Sequence, residues 1–293
     1  MVHKAGFVNI IGSPNVGKST LMNVLVGEKV SIITSKAQTT RHRILGIVNG
    51  ENHQIVFSDT PGVLEPKYKL HESMMGFVNT ALGDADIILF ITDIFEKEIN
   101  HLDTLKKIQE TETPVLLLLN KIDLGEQDRV DGLLNYWKTK VPKAEVIPIS
   151  ALRKFNTEKI ILEILNRLPE HPPYYPKDQL TDKSQKFFAS EIIREKIFLF
   201  YQKEIPYSCE VVITDFKEEE KIVRMRAEIL VARESQKGIL IGHRGAAMKK
   251  IGIEARRDLQ NFVGKQVHLE LFVKVSENWK DNAVQLKRLG YME

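Results

Sequence analysis

The residues best suited to chemistry form the run Gly-Ser-Pro-Asn-Val-Gly-Lys-Ser at positions 12–19. This G-x-x-x-x-G-K-S spacing follows an apolar segment and precedes a helix-forming one. In such a loop the glycines let successive backbone N–H groups point at phosphate oxygens, and the positive end of the next helix faces the same anion. Lys18 would reach the β- and γ-phosphates and Ser19 would bind Mg²⁺. The run therefore predicts a phosphate site.

Three shorter motifs follow in order, DTPG at 59–62, NKID at 120–123 and SAL at 150–152. Asp59 ends a predicted strand, where it can hold the hydration shell of Mg²⁺ while the Gly62 N–H meets the γ-phosphate. Asp123 can accept hydrogen bonds from guanine N1–H and the 2-amino group, donors that adenine lacks. The SAL segment can supply a backbone N–H to guanine O6. The ordered set resembles the translation-factor-related class of GTPases, and so predicts Mg-GTP binding.

The loop SIITSKAQTTRHR at 31–43 resembles the segment in which such GTPases carry a threonine ligand for Mg²⁺. Thr40 is the predicted ligand, and Thr39 is the alternative. The residue after DTPG is Val63, which cannot orient the attacking water as the glutamine of Ras-like enzymes does. In GTPases with a hydrophobic residue there, a phosphate-loop asparagine, matched by Asn15, is associated with bound K⁺. This resemblance predicts slow intrinsic hydrolysis, raised by K⁺ or a partner.

The predicted nucleotide site gathers these motifs and their neighbours. Its members are Gly12, Ser13, Pro14, Asn15, Val16, Gly17, Lys18, Ser19, Thr20, Asp59, Thr60, Pro61, Gly62, Val63, Asn120, Lys121, Ile122, Asp123, Ser150, Ala151 and Leu152. The predicted catalytic residues are Lys18, Asn15, Thr40 and Gly62, and the predicted Mg²⁺ ligands are Ser19, Thr40 and Asp59.

Elements that would position these motifs are visible in residues 1–167. Short apolar strands at 6–11, 44–49, 53–58, 86–92, 114–119 and 145–149 alternate with helix-length segments near 18–26, 70–82, 99–110, 127–139 and 156–167. Continuous apolar strands such as VLLLL predict a parallel sheet covered on both faces. Asn49-Gly50-Glu51-Asn52 predicts an antiparallel hairpin at one edge. We therefore expect an α/β P-loop GTPase domain, doubly wound on a mostly parallel six-stranded sheet.

A second domain is predicted at 181–293, after a linker at 168–180 in which four prolines fall within residues 168–178. The expected order is helix, two strands, two helices, strand and a final helix near 279–289, an α+β plan. Its GxxG sequence at 242–245 lies between the paired helices. This α-β-β-α-α-β setting resembles a type II KH domain, whose GxxG backbone clamps about four nucleotides of single-stranded RNA.

Charge agrees with an anionic partner for this second part. Residues 1–170 carry 20 basic and 21 acidic side chains, whereas residues 171–293 carry 22 and 18. The predicted RNA-binding residues are Lys237, Ile239, Ile241, Gly242, His243, Arg244, Gly245, Lys249 and Lys250. The cations would contact phosphates and the isoleucines would form the floor under the bases, although core packing explains the isoleucines equally well.

Composition excludes several classes of protein. Hydrophobic residues make up 43% and charged residues 28%, the balance of a folded core rather than a disordered chain. No apolar run reaches the 18 or so residues of a membrane helix, and no secretory signal is visible. The single Cys209 excludes an internal disulfide and a cysteine zinc site, which fits a reducing cytoplasm.

Both halves together resemble the Era family of bacterial GTPases. The matching residues are QTTRHR at 38–43, the DTPG loop, IGHRGAAMKKIG at 241–252 and the ending HLELFVKVSENWKDN…LKRLGY. This resemblance implies a GTPase that cycles between GTP and GDP and acts in assembly of the small (30S) ribosomal subunit. It also implies a KH domain that holds the 3′ end of 16S rRNA, with GTP setting the domain arrangement, and peripheral association with the inner membrane. A monomer is expected.

Other functions remain open from the residues themselves. A P-loop enzyme of small-molecule phosphate transfer would share the phosphate site, although NKID argues against it. A GTP-regulated RNA-modification factor lacks support, because Cys209 stands alone at the start of a strand. An RNA binder in which the nucleotide is a passive brace would differ by showing no repeated GTP turnover.

Overall fold

The structure is a computed structural model that describes residues 2–96 and 102–292, and the chain divides into two compact units. The first unit contains the residues up to Lys67 together with His71–Asp182, and the second contains Tyr68–Leu70 and the residues from Lys183 onward. Each unit has its own sheet.

The first unit is built on a six-stranded sheet. Its strands are β1 (Lys4–Gly12), β2 (Ile44–Asn49), β3 (His53–Asp59), β4 (Ile87–Asp93), β5 (Val115–Asn120) and β6 (Glu145–Pro148). The spatial order is β2-β3-β1-β4-β5-β6, and all neighbours are parallel except β2 and β3. The predicted sheet, with its antiparallel edge, is thus confirmed.

Helices connect the parallel strands. They are α1 (Lys18–Val26), α2 (Lys69–Gly83), α3 (Leu102–Glu110), α4 (Gln127–Lys140) and α5 (Thr157–Arg167). The first residues of the helix predicted at 99–110 lie outside the described part. Every residue of β4 and β5 is buried, which is why both sequences are continuously apolar. Trp137 of α4 packs edge-on against Phe90 of β4, with ring centroids 5.9 Å apart.

The proline-rich segment predicted as a linker lies within the first unit. The buried side chain of Gln54 accepts hydrogen bonds from the N–H groups of Tyr174 and Tyr175, at 2.7 and 3.0 Å, and donates to the Tyr175 carbonyl at 2.8 Å. Further along, Ile47 N–H on β2 donates to the Leu180 carbonyl at 2.8 Å. Prolines prevent regular strand pairing here, so side chains and isolated backbone bonds hold the segment and partly cover the sheet edge.

The second unit is a three-stranded sheet with helices. Its elements are α6 (Gln185–Phe200), α7 (Ile205–Ser208), β7 (Cys209–Glu218), β8 (Ile222–Val231), α8 (Glu234–Ile241), α9 (Ala246–Val263), β9 (Gln266–Val275) and α10 (Ala283–Arg288). In the order β7-β8-β9, β8 is antiparallel to β7 and parallel to β9. The predicted α-β-β-α-α-β order is confirmed. The one-turn helix α7 was not predicted.

The helix predicted at 279–289 is wrong in detail, because the chain forms a 3₁₀ turn at Trp279–Asp281 and then a separate helix, α10. Asn282 lies at the break, where its backbone is extended and its side-chain oxygen accepts the Gln285 N–H at 3.1 Å. An asparagine cap of this kind begins a new helix instead of continuing the old one.

Replacing Gln54 by leucine should detach the proline-rich segment. Three backbone groups would lose their partner, and we expect the free energy of unfolding to fall by about 2 kcal/mol, with faster proteolysis within residues 168–180. Denaturant unfolding and limited proteolysis would measure this. The control is Gln109→Leu, whose exposed amide makes one bond to the Lys140 carbonyl. Equal effects of the two substitutions would contradict the assignment.

Candidate functional site

The phosphate loop joins the end of β1 to the start of α1 in a conformation that requires its glycines. Gly17 has φ +101°, and a Cβ there would lie 2.3 Å from Asn120 Nδ2. A Cβ on Gly12 would lie 2.1 Å from the carbonyl oxygen of Ile91 on β4. The loop is therefore packed against two neighbouring strand ends, with its backbone turned as an anion-binding loop requires.

Lys18 lies in the first turn of α1 with a buried side chain. Its ammonium donates to the carbonyl oxygens of Gly12 at 3.0 Å and Ser13 at 2.7 Å. Burial lowers the pKa of Lys18 to about 8, while the charges of Asp59 and Glu96 oppose that change. The loop thus directs a partly desolvated cation at the position where phosphates would bind.

Two hydroxyls and a carboxylate meet beside Lys18. The Ser19 and Thr40 hydroxyl oxygens are 2.8 Å apart, and Thr40 donates to Asp59 Oδ2 at 3.3 Å. Among the described residues Asp59 Oδ1 has no hydrogen-bond partner, although it is buried. Burial raises the pKa of Asp59, and the hydroxyl of Ser19 and the charge of Lys18 oppose the rise. Oxygen ligands around an unpaired buried carboxylate oxygen fit Mg²⁺.

The structure separates the two threonines that the sequence left as alternatives. Thr40 faces Ser19 and Asp59, whereas the Thr39 hydroxyl donates to the Lys36 carbonyl at 2.7 Å and lies 2.6 Å from the Thr34 hydroxyl. The geometry therefore brings Thr40, and not Thr39, into the oxygen cluster.

The DTPG loop packs under the phosphate loop. The Thr60 hydroxyl donates to the Ile10 carbonyl at 2.7 Å, and Val63 N–H donates to the Gly12 carbonyl at 3.1 Å. The Val63 side chain is buried in the core beside α2. A Cβ on Gly62 would lie 2.8 Å from Pro14 Cα, which explains the glycine. Val63 thus faces the core, away from any attacking water.

Asn120 connects the NKID motif to two other loops. Its Nδ2 donates to the Val16 carbonyl at 2.7 Å, and its Oδ1 accepts the Ala151 N–H at 2.9 Å. The SAL segment was expected to offer a backbone N–H to guanine O6, but the structure commits the Ala151 N–H to Asn120. The Asp123 carboxylate lies 4.0 Å from the Arg153 guanidinium at the other end of the motif.

Lys121 and two acidic residues complete the surroundings of the loop. Lys121 donates to the Asn15 carbonyl at 2.6 Å and forms an ion pair with Asp93 at 2.5 Å. Ser13 donates from its hydroxyl to Glu96. Sequence reasoning missed Asp93 and Glu96. Their position directly after an apolar strand that neighbours β1 is the signal that could have found them.

A cavity of about 350 Å³ opens between the phosphate loop and the 31–43 segment. Its lining combines predicted and unpredicted residues, namely Pro14, Asn15, Gly17, Lys18, Ser19, Thr20, Ile32, Ile33, Thr34, Ser35, Lys36, Gln38, Thr39, Thr40, Gly62 and Lys121. The cavity places Lys18 on one concave surface with Ser19 and Thr40, the two hydroxyl residues of the oxygen cluster, as a phosphate ester with a bound cation would need.

In the second unit, the GxxG turn joins α8 to α9 through three residues with positive φ. Gly242, Arg244 and Gly245 have φ of +71°, +49° and +77°. A Cβ on Gly242 would lie 2.6 Å from Ala247 Cβ, whereas around Gly245 the space is open to 4 Å. The first glycine is thus required by packing, and the last leaves its backbone accessible.

Beside this turn a groove of about 810 Å³ runs between α9 and β9. Its lining is mostly apolar with cationic side chains, and consists of Ile241, Gly245, Met248, Lys249, Gly252, Ile253, Arg256, His268, Leu269, Leu271, Phe272 and Val273. Sequence reasoning found Ile241, Gly245 and Lys249, but missed the face of α9 on which positions 249, 253 and 256 recur at helical spacing.

Six predicted RNA-binding residues lie outside this lining, namely Lys237, Ile239, Gly242, His243, Arg244 and Lys250. Ile239 is 50% exposed on α8. Lys237 lies 3.8 Å from Glu234, and the Lys250 ammonium lies 4.5 Å from the centre of the Phe200 ring. Ile241 lines the groove and Ile239 does not, so the predicted contact of Ile239 with bases stays a prediction. His243 and Arg244 remain at the turn.

Family models match both units. The model of the 50S ribosome-binding GTPase matches residues 7–121, and the model of the KH domain matches residues 204–280. Fold and motifs together define the class, a P-loop GTPase domain followed by a KH domain.

Relatives at full length define the family. GTPase Era of Geotalea daltonii is 43% identical, with 98% of this chain and 97% of the relative covered. The chloroplastic GTPase ERA-like protein of Oryza sativa subsp. japonica is 44% identical, with 99% of this chain and 70% of the relative covered. The chain belongs to the family of the GTPase Era.

Solved structures agree with this assignment. One is a crystal structure of Era in complex with MgGDPNP and nucleotides 1506–1542 of 16S ribosomal RNA. Another is of Aquifex aeolicus Era bound to GDP and AlF4⁻. Each is 40% identical, with a TM-score of 0.94 over 99% of this chain and 100% of the other. Within the described residues, none of the helices is long and apolar enough to cross a membrane.

The lowered pKa of Lys18 predicts proton uptake on nucleotide binding. Phosphates would raise this pKa again, so between about 8 and the raised value Lys18 is neutral in the free protein and charged in the complex. Calorimetry in buffers of different ionisation enthalpy should find uptake of most of one proton on GDP binding near pH ~8.5, and little near pH ~7. Equal uptake at both pH values would contradict the burial argument.

Proposed function

We propose that this protein is a GTP-hydrolysing switch that binds the 3′ end of 16S rRNA and acts in assembly of the small ribosomal subunit. The observation that carries the proposal is the 40% identity over 99% of the chain to Era in complex with MgGDPNP and nucleotides 1506–1542 of 16S ribosomal RNA. The nucleotide would bind in the first unit and the RNA in the second. Coupling between the two sites would let the GTP state set the affinity for RNA.

In the proposed nucleotide site, backbone N–H groups of the phosphate loop surround the β-phosphate and Lys18 contacts the β- and γ-oxygens. Ser19 and Thr40 would ligate Mg²⁺, and Asp59 would hold its hydration shell. The cation, when bound, neutralises charge that develops on the phosphates. Gly62 N–H would contact the γ-phosphate. Asp123 would select guanine, because its carboxylate pairs with two donors that adenine lacks.

The attacking water needs help from elsewhere, because Val63 is buried in the core. We propose that K⁺ held by Asn15 supplies positive charge near the phosphates and that a partner accelerates the step. In support of this proposal, Asn15 lines the cavity beside Lys18 and Ser19. Without K⁺ or a partner, hydrolysis would be slow.

The proposed RNA site is the groove beside the GxxG turn. Accessible backbone at Gly245 would let a phosphate approach, and Lys249 and Arg256 would neutralise it. Unstacked bases would lie on the apolar lining, where Ile241 and Met248 contribute surface. A role on the ribosome would place the protein in the cytoplasm, and peripheral membrane association is supported by family resemblance alone.

The direct test is GTP turnover by the full chain in Mg²⁺ and K⁺, with an RNA that has the sequence of nucleotides 1506–1542 and a scrambled RNA of equal length. We expect repeated turnover, raised severalfold by the specific RNA only. Lys249→Glu should weaken binding of that RNA about tenfold or more and lower the salt dependence, because a phosphate contact is lost. Lys138→Glu is the control, because it makes the same change of charge at an exposed position of α4.

Other outcomes would refute parts of this proposal. Binding of GTP without repeated turnover would identify an RNA-binding protein in which the nucleotide has only a structural role. Transfer of the γ-phosphate to a small molecule would identify a phosphotransferase. Turnover that does not respond to either RNA would remove the coupling between the two sites.

The K⁺ proposal has its own measurement. Turnover without RNA should fall about tenfold when Na⁺ replaces K⁺ at equal ionic strength, and Asn15→Ala should be slow in both salts. GDP affinity, measured in parallel, should change less than turnover, because K⁺ would act mainly on the charge that develops during hydrolysis. Wild-type turnover that is identical in the two salts would exclude a K⁺ site.

A further inference from the structure

Asp93, the last residue of β4, is a carboxylate that the function described so far does not use. It is 6% exposed. Its Oδ1 accepts the backbone N–H groups of Phe95 and Glu96, at 2.8 and 3.1 Å, which fixes the orientation of the carboxylate. Its Oδ2 lies 2.5 Å from Lys121 Nζ. The Asp93 carboxylate of this ion pair is therefore held at the end of β4 by the backbone of the turn that follows.

Lys121 uses the same ammonium to contact the phosphate loop. It donates to the Asn15 carbonyl at 2.6 Å. Both Lys121 and Asn15 have left-handed backbones, with φ of +62° and +64°. Residues other than glycine adopt that conformation uncommonly, although asparagine does so more readily than most. One ammonium thus ties together the end of β4, the NKID motif and the left-handed turn of the phosphate loop.

The carboxylate determines where that ammonium lies. An ammonium has three donors that rotate freely about a flexible stem, so a single carbonyl does not hold it in one place. Lys121 is 29% exposed at its side chain and would extend into water if Asp93 were uncharged. The Phe95 ring, whose centroid is 5.8 Å from Lys121 Nζ, restricts the stem on another side.

We propose that Asp93 is a positioning residue for nucleotide binding, which acts through Lys121 on Asn15. With Asp93 charged, Lys121 stays on the Asn15 carbonyl and the phosphate loop keeps the backbone that receives phosphates. This inference rests on the proposed nucleotide site and adds a residue that does not line the cavity. The same turn contacts the loop a second time, because the Ser13 hydroxyl donates to Glu96.

If Asp93 acted on the nucleotide by its charge alone, its removal would have the opposite effect on nucleotide binding. Asp93 is an anion near a site for anionic phosphates, so neutralising it without any change in the loop should strengthen nucleotide binding. If Asp93 instead holds the loop through Lys121, neutralising it should weaken binding. The sign of the effect therefore distinguishes a positioning role from a bystander charge.

The experiment measures dissociation of a fluorescent GDP analogue from the full-length wild type and from Asp93→Asn, Lys121→Met and the double variant. We expect Asp93→Asn to accelerate dissociation about tenfold, since it removes a charged hydrogen bond and frees the Asn15 carbonyl. In the Lys121→Met background, Asp93→Asn should add less than about twofold, because its target is gone. Asp93→Glu should lie closer to the wild type than Asp93→Asn.

Glu112→Gln is the matched control, since it neutralises a carboxylate whose ion pair with Lys143 is exposed. It should leave dissociation unchanged. Slower or unchanged dissociation from folded Asp93→Asn, or equal acceleration in both Lys121 backgrounds, would overturn the inference. If Asp93→Asn does not fold, the dissociation rate of Asp93→Glu decides the question. A rate between those of the wild type and Lys121→Met would support the inference, and a rate no faster than the wild type's would overturn it. A wild type that does not bind the GDP analogue would instead refute the proposed nucleotide site.

Discussion

The register of the parallel strands is the constraint on which the nucleotide site depends. In the sheet Ile10 is opposite Asp59, Gly12 is opposite Ile91, and Asp93 is opposite Asn120. Four neighbouring strands therefore end at one edge of the sheet and release their loops there. A shift of one residue in any strand would turn a motif side chain to the other face of the sheet.

Much of this arrangement was predictable, because the motifs are local and their strands are continuously apolar. The sequence named the three residues of the oxygen cluster, Ser19, Thr40 and Asp59, but left Thr39 as an alternative to Thr40. That choice depends on how the 31–43 loop folds back on itself, which no periodic pattern records. Asp93 was missed for another reason. A single carboxylate after a strand is common, and only the pairing of β4 with β5 brings it to Lys121.

Other differences arise where side chains replace regular backbone pairing. The prolines of the 168–180 segment predict a linker between domains, but Gln54 binds the backbone of Tyr174 and Tyr175 and so attaches the segment to the first unit. In the KH domain, Ile239 and Ile241 are both apolar and close to the GxxG turn. Two residues along a helix correspond to about 200° of rotation, so only one of the pair faces the groove. Hydrophobicity alone does not determine which one.

The proposed phosphate-binding sites of the two units differ physically. Beside the phosphate loop a cation and a carboxylate are buried together; burial lowers the pKa of Lys18 and raises that of Asp59, although the charge of each group opposes the shift of the other. A polyphosphate and a divalent cation would add further opposite charge for both groups. The GxxG turn instead leaves Gly245 open and places its cations along a groove. A site with buried charged groups can respond to one phosphate more or less, because each added charge changes the electrostatic free energy of those groups. An open groove can bind a polymer of phosphates, but its structure does not respond to their number.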